Sequence, residues 1–149
     1  MNWKKCLLTF IFGVVILPAA FGQSSPAACT HSSAAGTYSV SCSGWVSVGG
    51  SFVPIRQLGI ATGDATGSWT GVTTINIAGQ SIVPKATVSG QATLDPDCTG
   101  SITYNKGTAG EINLNFVVNA ATNEILGLAT DKGTVMSCEL KRMSSSNGR

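Results

Sequence analysis

The 149-residue chain is 43% hydrophobic, 11% charged and 7% aromatic, with Lys+Arg 9 against Asp+Glu 7. That length suits one domain and is short for two. No basic stripe runs through it, so nucleic acid and anionic membrane surfaces lack the electrostatic footprint that would recruit them.

The chain opens "MNWKKCLLTFIFGVVILPAAFGQ". Lys4 and Lys5 precede an apolar run from Cys6 to Leu17, and small residues follow. This is the pattern of a secretory signal peptide over 1–22, with Ala20-Phe21-Gly22 placing the cut before Gln23. A retained anchor would need about 20 apolar residues, more than this run supplies. A lipoprotein signal at Cys29 is disfavoured by Pro26 and by the distance from the apolar run. Cleavage removes Lys4 and Lys5 and no acid, leaving seven basic residues against seven acidic ones. The expected destination is secreted or periplasmic, with no stable membrane insertion after cleavage.

Residues 23–35 read as a flexible tail, residues 36–142 as the domain and 143–149 as a disordered end. After Cys6 leaves, Cys29, Cys42, Cys98 and Cys138 remain. An even set in an exported chain points to disulfides. Zinc is the rival, but there is no C-x-x-C pair and the one histidine, His31, lies in the tail. For the same reason a nucleophilic Cys98 in "DPDCTG" lacks a base held beside it.

From Gly36 onward, seven turn signals separate eight segments: "VGGS", "TGDATG", "AGQ", "DPDCTG", "NKGTAG", "NAATN" and "TDKG". Most segments are rich in Val, Ile, Thr or aromatic residues, as strands are. "NAATNEILGLA" could make a helical turn or two, but Gly127 and its flanks favour a hairpin. Short strands, short loops and no intervening helix predict an all-β antiparallel meander. Period-two alternation assigns faces. Tyr38, Val40 and Cys42 share one face of the first segment, and Ile82, Ala86, Val88, Ala92 and Leu94 one face of the fourth. Ile112, Leu114, Phe116 and Val118 do the same in the sixth. Eight such strands can close into a barrel and abolish both sheet edges. A two-sheet sandwich is the alternative.

Closure would make the first and last strands neighbours. Cys42 and Cys138, each on an apolar face, would then clamp the seam, leaving Cys98 for Cys29. In the chain-entropy model a loop of that length is worth about 4–5 kcal/mol.

"GTYSVSCSGWV", "ATLDPDCTGSITY" and "EILGLATDKGTVMSCELKR" resemble small secreted bacterial barrels related to the allene oxide cyclase barrel, a fold shared with dirigent-like proteins. The resemblance covers most of Gly36 to Arg142 and rests on turns and strand ends. It implies a barrel that could hold a reactive apolar molecule. It carries over no catalytic position, and fold alone does not give function.

An eight-stranded barrel is wide enough for its own side chains or one small ligand. Gly44, Ala86, Gly90, Ala92 and Gly127 would leave room inside, while Tyr38, Trp69, Tyr104 and Phe116 supply rings that either line a cavity or fill it. Arg56 shares parity with Phe52, Leu58 and Ile60. Turned inward it would meet an anionic ligand group or an internal carboxylate; alternatively Pro54 marks a bulge or the edge of the strand, which turns it outward. Tyr38, Arg56, Trp69, Tyr104 and Phe116 are therefore the candidate ligand-binding residues. Asp64 and the Asp95/Asp97 pair invite a calcium site, but turn chemistry accounts for them. No metal or cofactor is expected.

Three functions remain: a binding barrel for a small apolar molecule, a structural or surface-interaction module with a filled interior, and a cyclase or isomerase. The absence of a Ser-His-Asp set, a metal cluster, a phosphate loop or a carboxylate dyad gives the enzyme least support. Self-association is left open.

Overall fold

The computed structural model describes residues 28–119 and 121–144, and the backbone alone at 81–83. The signal peptide expected at 1–22, residues 23–27 of the tail and the end at 145–149 lie outside those residues. A four-residue helix, α1 (His31–Ala34), precedes eight strands: β1 (Gly36–Val48), β2 (Ser51–Gly63), β3 (Ser68–Ile77), β4 (Gln80–Leu94), β5 (Thr99–Tyr104), β6 (Ile112–Asn119), β7 (Glu124–Ala129) and β8 (Thr134–Arg142). Each pairs antiparallel with its neighbours, and β8 returns to β1, so the sheet is a closed barrel. All seven expected breaks are the connections between strands.

Closure is set by the β1–β8 ladder, which runs in register from Tyr38 opposite Arg142 to Val46 opposite Thr134. Cys42 stands directly opposite Cys138, with Cα atoms 4.0 Å apart, and the two are bonded. Two residues on, Gly44 faces Met136 across the same seam. A Cβ there would run into the Val135 carbonyl oxygen, so only glycine allows the strands this approach.

The second disulfide joins Cys29 to Cys98, Cα atoms 5.0 Å apart. Residues 28–35, expected to be the end of a flexible tail, are tied down by it. Cys29 N–H also donates to the Pro96 carbonyl at 3.1 Å. Thr30 caps α1, its hydroxyl accepting from Ser33 N–H while the Ser33 hydroxyl accepts from Thr30 N–H. Composition suggested mobility because Ser and Ala carry little hydrophobic drive; a covalent tether and a capped turn supply the order instead.

Inside the barrel, β1 buries Tyr38, Val40 and Cys42, and β6 buries Leu114 and Val118, as alternation expects. In β2 the outcome differs. It pairs with β1 without slip from Ser51 to Gly63, so Pro54 marks no bulge. Ile55, Gln57 and Ala61 are buried, whereas Phe52, Leu58 and Ile60 are exposed together with Arg56. Arg56 is therefore outside because its whole face is outside. The bulge lies in β4, where the β3 register shifts between Thr73 and Asn76 and Lys85 adopts φ 57°.

Removing Cys29–Cys98 opens a loop of 69 residues and removing Cys42–Cys138 one of 96. Chain entropy alone separates these losses by only about 0.3 kcal/mol. The seam bond, however, is buried at both ends, whereas Cys98 is half-exposed. We expect Cys42→Ala/Cys138→Ala to lose about 1 kcal/mol more stability than Cys29→Ala/Cys98→Ala in denaturant titration, cavity formation in the core supplying the difference. Equal losses would show that chain entropy is the whole effect.

Candidate functional site

The two barrel ends are built from different side chains. One end, where β1 starts and β8 finishes, is closed. Tyr38 is 1% and Trp69 5% exposed, their ring centroids 5.5 Å apart. Gly63 lies under the Trp69 ring, where an added Cβ would come within 2.5 Å of Cε2. Arg142, exposed at the end of β8, reaches over this plug. Its Nη2 donates to the Tyr38 hydroxyl at 2.9 Å and to the Ser33 carbonyl at 2.8 Å, and Tyr38 Oη donates to the Ala34 carbonyl at 2.8 Å. One guanidinium thus joins β8, β1 and α1.

The other end is open. A cavity of about 410 Å³ runs from it into the barrel, a size within the range of small-molecule sites. Its walls are chiefly apolar, with Val46, Ile55, Ile75, Ala86 and Met136 among them. Asn105, Gly110, Glu111 and Asp131 form part of the mouth. Asn113 organises that rim: its N–H and Nδ2 donate to the two Asp131 oxygens, each at 2.8 Å, and its Oδ1 accepts from the Thr103 hydroxyl at 2.7 Å. Glu111 Oε2 accepts from Gly107 N–H at 2.7 Å, fixing the β5–β6 loop.

Of the five expected ligand-binding residues, Tyr104 alone lines this cavity. Tyr38 and Trp69 are inside but belong to the plug. Phe116 also faces inward near that end, bordering with Trp69 a void of only about 20 Å³. Arg56 is exposed on the outer wall. The small residues serve two purposes: Ala86 gives the cavity width, whereas Gly44 and Gly90 permit close contacts with the neighbouring strands.

Two wall residues were not anticipated. Gln57 is 9% and Thr73 2% exposed, and both line the cavity. The Thr73 hydroxyl oxygen has no hydrogen-bond partner among the described residues. Polar residues on an inward face read as surface in a sequence; only their parity with Ile55 and Ala61, or with Trp69 and Ile75, signals otherwise.

Asp64 accepts from the Thr66 hydroxyl at 2.6 Å, from Thr66 N–H at 2.8 Å and from Ser68 N–H at 3.0 Å, and these bonds lower its pKa. Asp97 is lowered similarly by Thr99. Both carboxylates hold their own turns. Among the described residues no cluster of three or more His, Cys, Asp or Glu could hold a metal ion.

Comparison with protein-family models, curated proteins and solved structures found no match for this chain.

Burial disfavours the Tyr104 phenolate and pushes its pKa up to about 12. An unfolded tyrosine ionises near 10. The tyrosine contribution to stability is therefore intact below about pH 10 and declines as the pH rises towards 12, because the unfolded chain loses its proton first. Ultraviolet titration should show a phenol ionising near 12 that Tyr104→Phe removes; ionisation of Tyr104 near 10 would mean that the ring meets bulk water. An unpartnered buried hydroxyl costs about 1–3 kcal/mol, so Thr73→Val should raise the thermal midpoint. A lowered midpoint would show that the hydroxyl is satisfied.

Proposed function

We propose that this protein is a secreted or periplasmic binding barrel that takes one small, largely apolar molecule through its open end. The observation that carries the reading is the apolar cavity of about 410 Å³, closed at one end by the Tyr38–Trp69 plug and open at the other. Burying a ligand against such walls gains roughly 25 cal/mol per Å² of apolar surface. A filled interior would give no such gain, so the cavity weighs against a purely structural barrel.

Two disulfides suit an oxidising compartment, and no helix among the described residues is long and apolar enough to cross a membrane. Kinship with the allene oxide cyclase barrel belongs to the same proposal. It rests on the turn and strand-end motifs, with the eight-stranded closure in agreement. Isomerase chemistry has less behind it: Glu111 and Asp131 stand at the mouth, engaged with neutral donors.

N-phenylnaphthylamine, a neutral fluorescent probe, should bind the native protein with one site per chain. At Gly110 a Cβ would meet nothing closer than 3.8 Å, so a side chain can be added at the mouth without disturbing the core. Gly110→Trp is expected to weaken the probe at least about tenfold by occupying the mouth, whereas Arg56→Ala, outside the barrel, should leave it unchanged. Absence of saturable binding to native protein, or indifference to Gly110→Trp, would overturn the proposal.

A further inference from the structure

We infer that the ligand is a neutral molecule bearing a hydrogen-bonding oxygen, such as a ketone or an alcohol, and that this oxygen sits deep in the barrel at Thr73 and Gln57. The inference rests on the binding-barrel reading and specifies its ligand.

Thr73 stands opposite Gly59 on β2 and Ala86 on β4, two of the smallest residues available. On the Gly59 side the threonine methyl is already close: a Cβ on Gly59 would lie 2.7 Å from Thr73 Cγ2. Towards Ala86 the wall opens into the cavity. The hydroxyl is buried, 2% of the residue being exposed, and has no partner among the described residues. Native proteins rarely leave such a group unmatched without a use for it. One step between staggered χ1 wells moves the threonine hydroxyl to a neighbouring site on Cβ, so an oxygen arriving beside Ala86 can supply the missing partner.

Gln57 makes the position a pair. It faces Ile75 across the β2–β3 ladder, two residues along from Thr73. Such diagonal positions on one face lie about 7–8 Å apart, within reach of a side chain as long as glutamine. A hydroxyl and an amide together offer both donors and acceptors, which fits a carbonyl or hydroxyl oxygen equally well.

Charge selects against an anion. No Lys, Arg or His lines the cavity among the described residues, and the acidic groups that do, Glu111 and Asp131, are at the mouth. A carboxylate ligand would have to pass two like charges and then lose its hydration without a counter-ion. Fatty-acid anions are thus the poorer class, and neutral oxygenated lipophiles the better.

The test uses three probes of similar shape, butyrophenone, butylbenzene and phenylbutyrate, each displacing N-phenylnaphthylamine from the full native protein at neutral pH. Butyrophenone should bind more tightly than phenylbutyrate. In Thr73→Val, and separately in Gln57→Leu, the ratio of butyrophenone to butylbenzene affinity should fall roughly three- to tenfold, the worth of one net hydrogen bond. Butylbenzene, which has no polar atom to lose, is the reference in each variant, and the fluorescent probe's own affinity is measured for each. An unchanged far-ultraviolet circular dichroism spectrum reports that each variant is folded. A ratio unchanged in both variants, or phenylbutyrate binding as tightly as the ketone, would overturn the inference while leaving a generic apolar barrel standing. Failure of native protein to bind any of the four molecules would remove the barrel reading and this inference with it.

Discussion

The pairing of β1 with β8 is the constraint on which everything else in this molecule depends. It turns a meander with two bare edges into a closed wall, and it decides which parity faces inward. Cys42–Cys138 fixes that choice covalently. A slip of one residue would set Cys42 against Ser137 or Glu139 and turn the β8 core face, Met136 and Leu140 included, towards solvent. The in-register ladder from β1 to β2 passes the choice on, placing Gln57 beside Cys42 and Arg56 outside.

Once closed, the barrel is shaped by a gradient of side-chain size along its axis. Tyr38, Trp69 and Phe116 gather near one end, where Arg142 and the α1 segment seal them. Towards the other end the wall presents Ala86, Val46, Ile75 and Thr134, too small to meet across the interior. The cavity follows from that imbalance, and so does its polarity: acids at the mouth, an amide and a hydroxyl in the wall. The Cys29–Cys98 bond contributes from outside by holding α1 where Tyr38 and Arg142 can bond to it.

Much of this architecture is legible in the sequence, for identifiable reasons. Turn chemistry is local, so every break between strands could be read from Gly, Asp, Asn and Pro. The disulfide partners followed from closure and parity. β2 was harder because both of its faces carry large apolar side chains, Phe52, Leu58 and Ile60 on one and Ile55 on the other. Alternation cannot choose between two apolar faces; the ladder with β1 does. The positions of the inward rings along the barrel were illegible for a related reason. Parity tells whether a ring points inward but not how far along the axis it sits, so the sequence does not separate Tyr38 and Trp69, which plug one end, and Phe116 near that end, from Tyr104 in the cavity wall. Gln57 and Thr73 escaped notice because a lone polar residue in a strand normally marks the solvent side.

The barrel interior is a cup, closed at the Tyr38–Trp69 end and open at the β5–β6 end, and the proposed ligand lies between them. Methyl-resolved NMR of the native protein during a titration with butyrophenone tests it most directly. The account predicts concerted, saturable shifts at Val46, Ile55, Ile75 and Met136, with Leu126 and Leu128 on the outer wall silent. Shifts confined to Leu126, Leu128 and Val117, with the interior methyls unmoved, would place binding on the outside of the barrel and contradict the account.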